Sequence, residues 1–246
     1  MAEFKDHFSR QAAAYSRYRP AYPRELIACV ASRAPSRGLA VDCATGSGQA
    51  AAALAGHFER VIAVDGSLPQ LLRAVPVTGV SYVAALAERL PLRDGCAALV
   101  AAAQAAHWFD FDRFYAECRR VLRPGGLVAV WTYGKFHVDP DLDAVVDHFY
   151  TDLVGRFWPP ERRYVEDGYR NLPFPLAEEP APAFTLVTEW DLEQVLGYIG
   201  SWSAVQRYRD ATGCDPLPAL RCALTPHWSG RLRRIEWPLH LRMGRT

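Results

Sequence analysis

The 246-residue chain predicts an α/β fold, a seven-stranded and mostly parallel sheet with helices on both faces. Three observations carry that expectation. Between residues 37 and 133 short apolar runs alternate with amphipathic ones, the sequence form of repeated strand–helix units. VDCATGSGQ (residues 41–49) reads as a strand that enters a glycine turn and then a helix. Half of the residues are apolar, enough to cover both faces of a sheet in one mid-sized domain.

In chain order, residues 4–22 read as a helical arm that stops at Pro20 and Pro23, within an N-terminal unit of residues 1–36. Five strands follow, at residues 38–43 (GLAVDC), 60–65 (RVIAVD), 80–85 (VSYVAA), 97–103 (AALVAAA) and 127–133 (LVAVWTY). Helices lie between them near QAAAALAGHF, SLPQLLRAV and DRFYAECRRVL, the last with apolar residues at Phe114, Tyr115, Cys118, Val121 and Leu122. The fourth strand is alanine-rich and has helical propensity, but its position between turn signals makes it a strand. Residues 141–154 are expected to be helical. Residues 158–182 then hold six of the eighteen prolines among aromatics and charges, which reads as a surface loop or lid. It belongs to a lid-like insertion at about 136–183 in a domain of residues 37–246. FTLVTEW (184–190) is the next strand, LEQVLGYIG and AVQRYRDATG are helices, and RIEWPLHLRM (234–243) closes the sheet.

Composition removes several classes of function. The net charge is +1, from 28 basic and 27 acidic residues that are scattered rather than gathered, so no nucleic-acid track is expected. The six cysteines form no C-x-x-C pair and sit mostly among apolar residues, as reduced thiols do; neither a disulfide framework nor a metal site is expected. The start MAEFKDHFSRQ has no basic segment followed by an apolar run, so it does not read as a signal peptide. CAALVAAAQAA is about half of what a bilayer crossing needs. The expectation is a cytoplasmic protein with a small-molecule partner and no membrane or nucleic-acid partner.

The chemistry centres on the glycine turn. Gly46 and Gly48 let the backbone turn tightly and approach a ligand, while the following helix offers free N–H groups. Gly46, Gly48 and Ala51 also satisfy the G-x-G-x-x-A dinucleotide pattern, which keeps a nicotinamide-dependent oxidoreductase in view. Two features favour a different ligand. Asp42, just before the turn, would repel a pyrophosphate and suits a ligand with an ammonium group. RVLRPGG (120–126) ends a helix at Pro124 and turns into the fifth strand, a feature foreign to the oxidoreductases.

Taken together, VDCATGSGQ, VIAVDGS, AERLPLRDG and VLRPGG resemble, in order and spacing, the class I S-adenosylmethionine-dependent methyltransferases over residues 37–134. The segments FSRQAAAYSRYRPAYP, AAQAAHWFDFDRFYAE and SWSAVQRYRDATG are similar to a narrower group, the trans-aconitate methyltransferase-like proteins. The resemblance implies a Rossmann-like sheet and S-adenosylmethionine as the methyl donor. It implies that Asp65, with Gly66 beside it, accepts hydrogen bonds from the ribose hydroxyls, and that Asp42 and Gly46 line the methionine part. By the same resemblance Gly48 permits close backbone approach, Ala87 and Glu88 face adenine, and Gln104 and Ala105 form the floor next to the methyl group. Tyr15 and Arg19 of the arm would cover the methionine end. Ala44 stands where the family has its first glycine and is expected to fit with a negative φ. Ala85 and Leu86 replace a frequent small residue and Asp, so the adenine contact is expected from main-chain groups.

His107 and Trp108 follow the fourth strand at the sheet edge, where ligands collect, and are candidate acceptor-site residues. Each assignment has a structural alternative: Asp65 as a turn acid, Asp42 as a turn cap, Glu88 as an exposed loop acid, His107 as a helix-entry hydrogen bond. Arg162, Arg163 and Arg170 could clamp a carboxylate. No metal or covalent nucleophile is required, since a sulfonium methyl is already electrophilic. A non-catalytic module that binds the same cofactor is the second alternative function.

Overall fold

A computed structural model describes residues 18–228 and 232–246. Most of the expected arm, Tyr15 included, lies outside the described residues. Helix α1 (Arg24–Arg33) buries Leu26, Ile27, Val30 and Ala31 in the same apolar cluster as one face of the sheet. Strands β1 (Leu39–Cys43), β2 (Arg60–Asp65), β3 (Val80–Ala84), β4 (Ala97–Ala103) and β5 (Leu122–Tyr133) pair in parallel. Helices α2 (Gln49–Ala55), α3 (Leu68–Leu71) and α4 (Phe111–Val121) lie on the connections.

After β5 come α5 (Pro140–His148), α6 (Arg162–Glu166), β6 (Ala177–Glu179), β7 (Phe184–Trp190), α7 (Leu192–Gly200), α8 (Ser203–Thr212), α9 (Leu217–Trp228) and β8 (Arg233–Arg245). The spatial order is β3-β2-β1-β4-β5-β8-β6, with β7 also on β8. All seven expected strands are present. The eighth, β6, is a three-residue strand that pairs with positions 243–245 of β8, while β7 pairs with positions 233–239, so the two follow one another along β8.

Alternation along β5 explains the layers. Leu127, Ala129 and Trp131 face the cluster that holds α1, α2 and the C-terminal helices, whereas Val128 and Val130 face the cluster of α4. On α4, Phe114, Tyr115, Cys118 and Val121 are buried at helical spacing, and each large side chain contributes roughly 2 kcal/mol. Asp110 caps that helix by accepting from the Arg113 N–H at 3.3 Å.

Residues 158–182 are more ordered than their proline content implies. They contain α6 and β6, and Val165, Tyr169 and Leu172 are buried. Arg242 of β8 fastens this segment, donating to the carbonyls of Tyr169 (2.8 Å) and Leu172 (2.7 Å) and forming a paired contact with Glu178. Helix α9 escapes the sequence patterning because Pro226 lies inside it; Leu220, Leu224 and Trp228 seat it. Among the described residues no helix is long and apolar enough to cross a membrane.

Candidate active site

The chain leaves β1 for β2 on one side, and β4 flanks β1 on the other, so a crevice opens at the carboxyl ends of β1 and β4. The glycine turn sits in it. At Gly48 glycine is required twice: φ is 89°, and a Cβ would meet the Tyr82 hydroxyl at 2.4 Å. Ala44 corrects the expectation from the sequence, since its φ is +53° rather than negative. The left-handed region costs alanine about 1 kcal/mol or more. Its neighbour Thr45 fixes the turn, donating its N–H to the Val64 carbonyl at 2.9 Å and its hydroxyl to Asp42 at 2.5 Å. Gln104, at the end of β4, and Tyr169 also have positive φ, at 57° and 64°. Backbone strain of this kind gathers at functional sites.

Asp42 is fully buried, and burial pushes its carboxyl up to about 7; the Asp65 charge adds to the rise, while the Thr45 hydroxyl and Ala51 N–H oppose it. Its Oδ1 has no hydrogen-bond partner among the described residues. Asp65 ends β2 and holds the turn, its Oδ2 accepting from the Gly46 N–H (2.8 Å) and its Oδ1 from the Ser67 N–H (2.7 Å). Gly66 beside it is exposed. Ala87 is buried, while the carboxylate of Glu88 accepts from the Asp110 N–H at 3.0 Å and so ties its loop to the start of α4.

Gln104 continues the β4–β5 ladder with its side chain. Its Nε2 donates to the Tyr133 carbonyl (2.8 Å), and its Oε1 accepts from the Tyr133 N–H (3.0 Å) and the Thr132 hydroxyl. Ala105 follows, buried, and leads into a short turn (Ala106–Trp108) that carries His107 and Trp108.

Next to Gln104 lies a cavity. Arg19, His107 and Trp108 form one part of its wall, Trp158, Arg162 and Val165 another, and Tyr198, Trp202 and Ser203 a third. The Arg19 guanidinium lies 5.2 Å over the Tyr198 ring and donates to the Tyr133 hydroxyl at 3.3 Å. That of Arg162 lies 4.4 Å over Trp158, and its Nε donates to the Tyr150 hydroxyl (2.8 Å), which donates in turn to Glu166 (2.8 Å). Burial raises Tyr198 to about 12 and raises Tyr150 as well, so both phenols keep their protons. Among the described residues the wall holds two arginines and no carboxylate. Arg163 and Arg170 are exposed and turn elsewhere, to the Tyr164 hydroxyl and the Asp167 carbonyl.

Comparison with known proteins identifies the family. A family model described as a methyltransferase domain matches residues 41–130. A Dictyostelium discoideum protein described as a methyltransferase is 31% identical over 248 residues, 97% of this chain and 94% of that one. The chain belongs to the class I S-adenosylmethionine-dependent methyltransferases. A solved type II methyltransferase structure from Anaeromyxobacter dehalogenans is similar to this methyltransferase at 48% identity, covering 93% of this chain and 98% of that one with a TM-score of 0.86. An uncharacterized methyltransferase of Mycobacterium tuberculosis is 39% identical over 127 residues, 50% of this chain and 51% of that one.

The methyltransferase turn fits the family's methyl donor better than it fits a dinucleotide. The buried Asp42 oxygen without a partner suits the ammonium of S-adenosylmethionine and would repel a pyrophosphate. Among the described residues no group of three His, Cys, Asp or Glu is placed to hold a metal ion, and all six cysteines are free thiols. Two tyrosines, Tyr198 in the cavity wall and Tyr169 against His107 behind it, lay outside the sequence reading. Tyr198 carried no signal beyond the apolar pattern of α7, and Tyr169 was marked only by the preceding Gly168.

Proposed function

We propose that this methyltransferase acts on a small organic acid, held by its carboxylate on Arg162 in the cavity beside Gln104. One observation carries the reading. Of the three arginines of the proline-rich segment, Arg162 alone lines the cavity, its Nε engaged by Tyr150 and its guanidinium over the Trp158 ring, in a wall whose described residues also include Arg19 and no carboxylate. A guanidinium fixed in this way presents its terminal N–H groups as a fork for a carboxylate. The likeness to trans-aconitate methyltransferase-like proteins, whose acceptors are small acids, supports the same class. A cytoplasmic metabolic enzyme suits it.

For the cofactor, we assign Asp65 and Gly66 to the ribose, Asp42, Gly46 and the arm residues Tyr15 and Arg19 to the methionine end, and Ala87 and Glu88 to adenine. Gln104 and Ala105 form the floor, and the insertion at 136–183 acts as the lid. When bound, the cofactor supplies a methyl group already activated by its sulfonium, so the protein aligns the acceptor and excludes water. The cavity beside the floor speaks against a non-catalytic binding module, and family membership against a nicotinamide-dependent oxidoreductase.

The test is methyl transfer from labelled cofactor to a panel of small acids, amines, phenols and thiols, with RNA and protein alongside. Arg162→Ala is expected to raise KM for acids at least tenfold, with Arg163→Ala and Arg170→Ala within twofold of wild type. Transfer to RNA or protein alone overturns the reading.

A further inference from the structure

The loop that leaves β3 is held in shape by a helix that comes later in the chain. Ala87 and Glu88 form the tip of a turn closed by the Arg89 N–H, which donates to the Leu86 carbonyl at 3.1 Å. Beyond that turn no strand takes up the backbone until β4 begins at Ala97. Irregular backbone has to find its hydrogen bonds outside a ladder, and α4 supplies them. The Glu117 Oε1 accepts from the Leu90 N–H at 2.6 Å. The Arg120 guanidinium donates to the carbonyls of Leu90 (3.1 Å) and Leu92 (2.7 Å) and to the Asp94 carboxylate (2.7 Å). At the far end the Gly95 N–H donates to the Arg120 carbonyl at 2.9 Å, and at the near end Glu88 accepts from the Asp110 N–H. Glu117 and Arg120 lie one turn apart on α4 and pair through two contacts of 2.8 and 2.6 Å. Hydrogen bonding to Arg120 holds the Glu117 carboxyl below its usual range, and at 12% exposure little water competes for it. None of the hydrogen bonds described for these two side chains reaches a strand; each ends on residues 90–94 or within the pair.

We propose that Glu117 and Arg120 are positioning residues for the methyl donor: they fix the loop so that main-chain groups of Ala87 and Glu88 meet adenine in one geometry, and the selection of adenine over other purines depends on them. This rests on the assignment of Ala87 and Glu88 to adenine made above, and it adds the device that makes the assignment selective. The contact is a main-chain one because Ala87 has no polar side chain and the Glu88 carboxylate is engaged by the Asp110 N–H. A main-chain donor or acceptor distinguishes an exocyclic amine from a carbonyl oxygen only when its direction is fixed. A loop free to turn its peptides presents whichever group the base requires and loses the distinction. Holding the loop in its bound shape also spares the ordering cost when the donor binds.

The test reads binding and needs no acceptor. Its probes are S-adenosylhomocysteine, the inosine counterpart with oxygen in place of the exocyclic amine, and S-ribosylhomocysteine, which lacks the base. Calorimetry on each variant gives the ratio of adenine to inosine affinity. A loss of folded protein scales both affinities alike and cancels from that ratio. Wild type is expected to prefer adenine at least tenfold. Glu117→Ala and Arg120→Leu should each bring the ratio below about threefold, with the affinity for S-ribosylhomocysteine changed less than threefold. Glu117→Gln keeps an acceptor for the Leu90 N–H and should retain a ratio within about threefold of wild type. A ratio that Ala87→Val lowers but Glu117→Ala and Arg120→Leu leave in place overturns the proposal and leaves the adenine assignment standing. Equal losses for all three probes in those two variants keep the ratio in place and count as the same refutation. A ratio that no variant moves, or a wild type that does not distinguish the two purines, overturns the adenine assignment and the positioning with it.

Discussion

Asp42 is held in the folded chain at a carboxyl pKa of about 7, against an ordinary value of 3.8, so the folded state binds a proton that the unfolded chain has lost across that interval. Its contribution to stability therefore falls as pH rises from about 4 to about 7, by an upper limit of roughly 4 kcal/mol. Asp42→Asn is expected to flatten that part of the stability–pH curve in denaturant melts. A ligand ammonium favours the carboxylate, so cofactor binding near pH 6 should release a proton, read as a buffer-dependent calorimetric enthalpy that Asp42→Asn lacks. At Asp65, truncation to Ala removes one side of a charge-assisted contact and should weaken cofactor binding by about 1–3 kcal/mol in a folded variant. An unchanged dissociation constant would remove Asp65 from the ribose. The motif residues were legible because glycines and acids at fixed spacing leave few alternatives. The sign of φ at Ala44 was not, because a single alanine carries no mark of the backbone region its neighbours force on it.

Elements were legible where burial imposes a period. β4 was assigned by its position between turns against its alanine propensity, and it is buried along nearly its whole length. α4 showed its apolar stripe directly. What escaped had weak or contrary local signals: β6 is three residues long and exists only because β8 offers it an edge, and α9 carries a proline that its packed Leu220, Leu224 and Trp228 outweigh. The segment 158–182 shows how tertiary contacts order a proline-rich stretch. Arg242→Leu removes the donors that hold Tyr169, Leu172 and Glu178 and leaves two buried carbonyls without them. Faster hydrogen exchange over residues 164–178 and a raised acceptor KM are expected, with cofactor affinity unchanged. Unaltered exchange there would show that apolar burial alone fixes the segment.

At the scale of the whole molecule, the proposed cofactor and acceptor sites differ in how far apart in sequence their parts lie. The proposed cofactor side is assembled from β1 to β4 and their loops, within a stretch that the family model matches, which is why its outline could be read from local motifs. The proposed acceptor cavity gathers Arg19, His107, Arg162 and Tyr198 from four distant places, and no local pattern announces such a meeting. Ligand linkage tests the first half as a unit: S-adenosylmethionine or its demethylated product at a hundredfold excess over Kd should stabilise the fold by about 2.7 kcal/mol, seen as a rise in Tm, while NADH leaves Tm in place. Equal shifts from NADH would count against the family's donor here. The position of β8 has a further consequence for biosynthesis. It follows every other strand in the chain, yet β5, β6 and β7 all pair with it, and its Arg242 anchors the segment that carries Tyr169. A nascent chain leaving the ribosome can therefore pair β1 to β5 early, but it must wait with three unpaired strand edges until β8 emerges. That interval is when the chain is most open to aggregation and to chaperone capture, and slow translation of the stretch before β8 is expected to prolong it.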